Sequence, residues 1–448
     1  MPVDGDSPAA LRPPAPASAP CAHSPVQRRR PWPSRLPGRG CDRLSTAAQT
    51  SCCGDSLPVR EWFPGERGAP GARGHEPMKT IIDQPTLIRE LSLLQGIIEK
   101  KSTLEALANV VLSAHDGGRV TLIGTDLEVG YKATIPATVE QPGTVAVDAR
   151  RLHDIVRRMP PGNISFVLDG EALRITMEKI RFRLATHDTE DFPTLPRREG
   201  DPTGALDGPV MADMVRRVLF AITTDDPRYS LAGALWNLEE DALELVATDG
   251  HRLSLTRRPA TRLGDLADGI LVPRKALAEI GKLADDQQNE VRFWVENGTL
   301  FVTVGDRELS ARLQEPKFPD YRKVLEVDND KVFEIGTADL KAAIERVAVL
   351  STEQSHMIRL DLAPERLVVS SRHHVHGDAV EELAVEYDGE PLEIGFNAQY
   401  LLDFLGVAGT EKIRAHLGEP MSQGLFEPVR EEGDDRVDRY VVMPMALG

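Results

Sequence analysis

GTVAVDARRLHDIVRRM at Gly143–Met159, GILVPRKALAEIGKL at Gly269–Leu283 and LEIGFNAQYLLDFLG at Leu392–Gly406 follow one plan. Each opens with a short apolar strand, turns at a helix-initiating residue, and continues as an amphipathic helix. The turn residues Asp148, Pro273 and Asn397 succeed one another at steps of 125 and 124 residues. The register extends outward from these segments. A strand ending in a polar corner reads TLIGTD at Thr121–Asp126, ELVATD at Glu244–Asp249 and LVVSSR at Leu367–Arg372, with 123 residues between successive ends. A second helical pattern occupies Thr86–Glu99, Val210–Thr223 and Ala338–Ser351, and Phe192-Pro193 recurs as Phe318-Pro319 126 residues on. Self-similarity at a fixed period marks a repeat architecture. Three tandem homologous domains are expected, at 78–202, 203–323 and 324–448.

Between the helical segments the pattern alternates with period two and breaks at Gly, Pro and Asp, as in VRFWVENGTLFVTVGDRELSARL. Each unit therefore reads as an α+β domain with two helices against antiparallel sheet. Residues 1–77 differ in kind. They hold 14 of the 33 Pro and all four Cys (Cys21, Cys41, Cys52, Cys53), with no apolar periodicity that could bury a core. This Pro-, Arg- and Gly-rich extension is expected to be disordered, and its Cys spacings contain no C-x-x-C pair. No transmembrane span and no signal peptide is legible, so a cytoplasmic protein is expected.

Charge is segregated. Ten Arg and no Lys against seven acidic residues leave +3 on residues 1–77, so the whole-chain −17 places −20 on residues 78–448. Yet cations collect on helices. In Ala149–Met159, Leu152, Ile155, Val156 and Met159 form the apolar stripe, while Arg150, Arg151, Arg157 and Arg158 stand opposite it. In Val210–Ile222 the same reading leaves Arg216 and Arg217 outward; the helix after Pro273 presents Arg274, Lys275 and Lys282, and the helix after Thr337 presents Lys341 and Arg346. One basic helix face is commonly just solvated, but four of one sign in three homologous units suit a phosphate backbone. No base-reading motif accompanies them, so double-stranded DNA would be contacted without sequence specificity.

Longer motifs carry a family resemblance: GTDLE at Gly124–Glu128, VATDGHRL at Val246–Leu253, VPRK at Val272–Lys275, FPDYRKV at Phe318–Val324, EIGFNAQYLLD at Glu393–Asp403 and YVVMPM at Tyr440–Met445. From Met78 to Leu447 the chain resembles the bacterial sliding clamp, the β subunit of DNA polymerase III. The resemblance implies a head-to-tail homodimer closing six domains into a ring, with helices around the hole and sheets outside. It also implies a non-catalytic processivity function in which a polymerase is held on duplex DNA. Residues implied near DNA are Lys101, Arg150, Arg151, Tyr229, Arg274 and Lys275, to which the helix reading adds Arg216 and Arg217. A pocket for short linear motifs of the polymerase catalytic subunit, the clamp loader and repair proteins is implied at Leu231, Thr248, Gly250, His251, Arg252, Leu253, Pro319, Val324, Met421, Val441, Val442, Met443, Pro444 and Met445. Ring closure is implied to pack Phe182 and Leu184 against Val349 and Leu350 of the other chain, with Lys179 and Arg181 facing Asp378 and Glu381.

Other classes compete. Asp249, His251 and Ser254 invite a hydrolase, although triads assemble in space rather than in sequence and no G-x-S-x-G elbow occurs. Arg372-His373-His374-Val375-His376 invites a metal, but lacks Cys or a suitably spaced carboxylate. A DNA-bound scaffold that never closes would keep the basic helices and need no complementary ends. No phosphate-cradling or dinucleotide fingerprint is present, so neither cofactor nor metal is expected.

Overall fold

The computed structural model describes residues 78–98, 104–223, 231–264, 266, 269–285, 289–315, 318–326, 328–351 and 356–447. The expectations placed on residues 1–77, Lys101 and Tyr229 lie outside the described residues.

Seven helices are described: α1 (Gln84–Ile97), α2 (Ala149–Arg157), α3 (Gly208–Leu219), α4 (Arg274–Asp285), α5 (Arg322–Leu325), α6 (Thr337–Ala348) and α7 (Ala398–Val407). Six begin where the quoted turn residues, or their counterparts, stop a strand. Asp83, Asp148 and Asn397 cap α1, α2 and α7, their carboxylate or amide oxygens accepting from Thr86 N, Arg151 N and Gln399 N at 3.1, 2.7 and 2.9 Å. The long helices pair as α1 with α2, α3 with α4 and α6 with α7, and α1 also touches α4 while α3 touches α7. They thus form one continuous row, α2–α1–α4–α3–α7–α6. Close approach is built in: a Cβ on Gly281 of α4 would lie 2.8 Å from Val215 Cγ1 of α3.

The sheets explain how the repeats are joined. Strand Val129–Pro136 of the first domain pairs antiparallel with Arg307–Arg312 of the second, with Tyr131 opposite Leu309 and Val129 opposite Ala311. Strand Arg252–Pro259 of the second pairs with Val437–Val442 of the third, with Ser254 opposite Tyr440 and Arg252 opposite Val442. One fourteen-stranded sheet therefore crosses the first junction and one eight-stranded sheet the second. The remaining four-stranded sheet ends at Gly377–Ala384, paired on one side only. At the opposite end of the molecule, Ile180–His187 pairs fully with Ala172–Met177 but reaches its other neighbour only through Thr186 and His187. Ile180–Ala185 and Gly377–Ala384 are thus open edges.

Apolar packing between helices and sheet builds the cores. One continuous cluster serves the first two domains (Leu87, Leu91, Val215, Leu277, Ile280), and a second serves the third (Leu340, Ile344, Phe396, Leu401, Tyr440). Buried ion pairs pin the junctions. Arg307 donates to Glu90 at 2.6 Å, and Tyr131 Oη donates to the same carboxylate at 2.6 Å. At the second junction Asp438 receives Arg258 and Thr256 at 3.0 and 2.7 Å, and Arg217 lies 3.2 Å away. Arg430 completes the cluster.

Candidate DNA face, partner groove and ring-closing edges

Arg150 and Arg151 follow the Asp148 cap on α2 and are exposed, as the helix period predicts. Arg216 of α3 is also exposed, its Nε donating back to Ala212 O at 3.3 Å. Arg217 corrects the reading. It is buried, donating from Nε to Asp213 at 2.8 Å and from Nη1 to Ala408 O at 3.3 Å, with Asp438 beside it. Adjacency along the chain groups Arg217 with Arg216, but it cannot show a carboxylate brought up from the third domain.

Arg274 and Lys275, at the start of α4, are half-buried. Lys275 Nζ donates to Ile97 O at 2.7 Å and to the buried Asp126 carboxylate, so this cation also ties the first domain to the second. Lys341 and Arg346 of α6 face Glu345 and Glu381 of their own chain. Among the described residues, the exposed helix cations without an in-chain ion pair therefore concentrate on α2.

The groove residues gather on the outer sheet face at the second junction. Leu253, Leu255, Val441, Leu235 and Tyr321 form a small apolar cluster there, with Phe318 and Val324 of the linker packed over it. The turn after Thr248 is rigid. Thr248 Oγ1 donates to Arg252 O at 2.6 Å, while the Asp249 carboxylate accepts His251 N and Arg252 N at 2.9 and 3.0 Å. Leu231, Thr248 and Leu253 are buried floor; Gly250, His251, Pro319, Met421 and Met443 are exposed rim; Pro444 and Met445 are half-buried. The tail laces this region together, Met443 N donating to His251 O at 2.9 Å and Met445 N to Gly395 O at 2.8 Å. Val442 is the exception. Strand alternation turns its side chain into the core of the third domain, so it cannot line the groove, whereas Val441 can.

Arg252 is held rather than free. Its guanidinium lies 4.3 Å from the Tyr400 ring centroid and donates to Asp403 and Phe220 O, both at 2.6 Å. Burial pulls its pKa down, but Tyr440, Asp403 and Asp249 outweigh that and hold it above its ordinary value. Tyr400 and Asp403 were missed as groove residues, although their i, i+3 spacing on α7 places them on one helix face. Tyr321 was missed too. Its hydroxyl donates to Glu244 at 2.5 Å, anchoring the linker across the groove floor.

At the open edges Phe182 is 39% exposed and Val349 78% exposed, with Leu350 half-buried beside it. The positions equivalent to Val349 in the other domains, Ile97 and Ala221, are 1% and 0% exposed. Lys179, Arg181 and Asp378 are exposed; Glu381 carries a bidentate contact from Arg346. Leu184 corrects the expectation: it shares a strand face with Phe182 but lies nearer the covered end of the strand and is packed in the first-domain core at 7% exposure. Val380, 65% exposed on the other open edge, was missed. Val380 and Leu383 in GDAVEELA do not alternate cleanly, and the pattern gives little signal without knowing which face is covered.

The rival chemistries find no geometry. Ser254 is buried and donates to Arg217 O at 2.6 Å, facing away from the exposed His251. His373 caps its own turn through Nδ1, which accepts Val375 N at 3.2 Å, and its ring lies 4.4 Å from that of His376. Among the described residues no group of three His, Cys, Asp or Glu is placed to hold a metal ion, and no helix is long and apolar enough to cross a membrane.

A helical row carrying arginines, backed by sheets with two open edges, defines a repeat-built scaffold with one face suited to a polyanion. Models of the DNA polymerase III beta subunit match the chain three times: the N-terminal domain at residues 78–196, the central domain at 205–320 and the C-terminal domain at 322–446. The beta sliding clamp of Pseudomonas putida is 36% identical over 375 residues, covering 83% of this chain and all of the relative. That of Escherichia coli K12 is 33% identical over 373 residues with the same coverage. The crystal structure of the Pseudomonas aeruginosa DNA polymerase III subunit beta superposes with a TM-score of 0.76 at 34% identity, and the Caulobacter crescentus DNA polymerase clamp with 0.74 at 32%, each over 83% of this chain and all of the other. The chain belongs to the DNA polymerase III beta subunit family, the bacterial sliding clamps. It is a DNA sliding clamp of replication, a processivity factor rather than an enzyme.

Proposed function

We propose that two copies join head to tail through their open edges, and that the closed ring rides on nucleoid DNA through α2, α3 and α4 while the groove captures partner proteins. The observation that carries this is the repeated junction. Equivalent strands pair at both internal junctions, and the third equivalent pair, Gly377–Ala384 and Ile180–Ala185, is left unpaired within the chain. The hairpins fix the register: Thr125 opposite Gly130, Thr248 opposite Leu253 and Ser371 opposite Ala379 are equivalent, as are Thr299 opposite Arg312 and Ala172 opposite Ala185. Carried across two chains, this sets Phe182 opposite Val380 and Arg181 opposite Glu381. The domains are proposed to divide at 203 and 324.

The ring explains how an acidic protein keeps DNA. Cations inside and carboxylates outside give a positive channel without a fixed register, and strong phosphate contacts would defeat sliding. Arg150, Arg151, Arg216, Arg274 and part of Lys275 are proposed to supply that field, with Lys101 and Tyr229 included on the resemblance alone. Reversing Arg150, Arg151 and Arg216 to Glu is expected to leave the thermal midpoint within a few degrees, since exposed charges contribute about ±0.5 kcal/mol each. Loading onto primed circular DNA should fall sharply. Intact loading would show that these faces do not meet the duplex.

The groove is proposed to receive short linear motifs of the polymerase catalytic subunit, the clamp loader and repair proteins, through apolar anchors over Leu253, Val441 and Met443. Deleting Met443–Gly448 removes the rim and two main-chain hydrogen bonds, each worth about 0.5–1.5 kcal/mol. The cores retain Tyr440 and Val442, so the truncated chain is expected to stay folded and dimeric while losing labelled motif peptides from the polymerase. Retained peptide affinity in anisotropy titrations would remove the groove assignment.

A further inference from the structure

We propose that the junction of the first and second domains is a second docking groove, taking a peptide segment of another protein that combines a large apolar side chain with arginine or lysine. A cavity of about 480 Å³ opens there between the Thr125–Gly130 turn, the Leu195-Pro196 linker and the strand end at Ser310–Leu313. A second, of about 380 Å³, adjoins it at Leu127 and runs beneath Leu104 and Pro193.

Its position is not arbitrary. The Thr125 turn and the strand end at Ala311 are the equivalents of the Thr248 turn and Val442 at the second junction, so this groove repeats the partner groove one domain earlier. Two substitutions between the repeats change its shape. Gly130 replaces Leu253 on the floor, and a Cβ there would lie 2.6 Å from Ser310 Oγ and 2.7 Å from Leu195 Cδ2. The first-junction groove is accordingly lined by the linker's own leucine. Leu127 replaces Gly250 at a left-handed turn position, holding φ at 78° where glycine holds 90°. A leucine kept in that conformation is strained, and here it is also 55% exposed, as is Leu104 across the smaller cavity. Neither side chain contributes to a core; together they offer an apolar patch of the kind that marks interaction surfaces.

Charge complementarity selects the occupant. Glu105, Glu128 and Asp191 are exposed around the two leucines and have no ion pair among the described residues, and Arg312 is the one cation among the described residues lining either cavity. An anionic rim beside an apolar patch repels nucleic acid and acidic peptides and favours a cationic one. Two joined cavities also suit an extended segment presenting neighbouring side chains.

The test uses the full chain and two labelled hexapeptides, Lys-Leu-Trp-Leu-Arg-Lys and its counterpart with Glu at the three cationic positions, read by fluorescence anisotropy. The cationic peptide should bind and the acidic one should not. Leu104→Ser with Leu127→Gly should weaken binding at least tenfold; both positions are exposed and glycine relaxes the turn, so circular dichroism should be unchanged. Glu105→Gln with Asp191→Asn, which alters no packing, should weaken it several-fold. Deleting Met443–Gly448 should leave it unaffected, separating this groove from the one at the second junction. No binding of the cationic peptide, equal binding of the acidic one, or affinity that responds to salt but to neither pair of substitutions would overturn the proposal.

Discussion

Cysteines placed at Phe182 and Val380, in a chain whose four native cysteines are serine, are expected to link two copies covalently under mild oxidation. The register carried over from the internal junctions puts these residues directly opposite one another. Opposed antiparallel residues have Cα atoms about 4.5–5.5 Å apart, within the span of a disulfide. Moving one cysteine from Phe182 to Arg183 turns it to the other sheet face and should abolish the link. The same proposed interface would carry the stability of the dimer. Burying Phe182, Val349 and Val380 is worth roughly 1.5–3 kcal/mol for each side chain fully covered, and a closed ring counts every contact twice. Replacing Val349 and Leu350 by Ala should therefore give monomers at micromolar concentration by sedimentation equilibrium. Persistent dimers, or equal crosslinking from Arg183, would place the ring contact elsewhere.

The architecture was legible because it is written three times. Asp148, Pro273 and Asn397 each end a strand and begin a helix in the structure, and only the repetition makes that pattern secure. Residues whose environment comes from another domain were read less well. Arg217 resembles its neighbour Arg216 along the chain, yet it is neutralised by Asp438, which the fold brings from the third domain. Lys275 reads as an exposed cation and is half-committed to Asp126. Val442 was grouped with true surface residues because family motifs do not say which face of a strand is covered, and Leu184 because they do not say how far along an edge strand the core reaches. Apolar periodicity is local, whereas burial of a charge depends on a partner far away in sequence.

Substituting Asp438 by Ala is expected to be the most damaging single change in the chain. Arg217, Arg258 and Arg430 converge on its carboxylate, which is almost fully buried between the second and third domains. Asp213 is shared by Arg217 and Arg258, so it cannot compensate alone. Breaking a buried ion cluster from one side leaves uncompensated charge and typically costs about 3–5 kcal/mol, several times the effect expected from Arg150→Glu. Acid acts on the same cluster. Burial raises the pKa of Asp213, but hydrogen bonds and charge from Arg217 and Arg258 outweigh it, and its carboxyl sits below the ordinary value. A carboxylate with a depressed folded pKa contributes stability above the unfolded value of about 3.9, and loses that contribution as pH falls through the lower folded value. The native chain should accordingly hold its unfolding midpoint down to about pH 4 and weaken below it, whereas Asp213→Asn, lacking that titration, should start less stable and show a flatter acid limb. Guanidinium titrations followed by Trp fluorescence read all three chains. A midpoint for Asp438→Ala equal to the native one would mean that the junction rests on apolar packing, such as the edge-to-face Phe220 and Tyr440 rings 5.6 Å apart, and that the ion cluster only fills space.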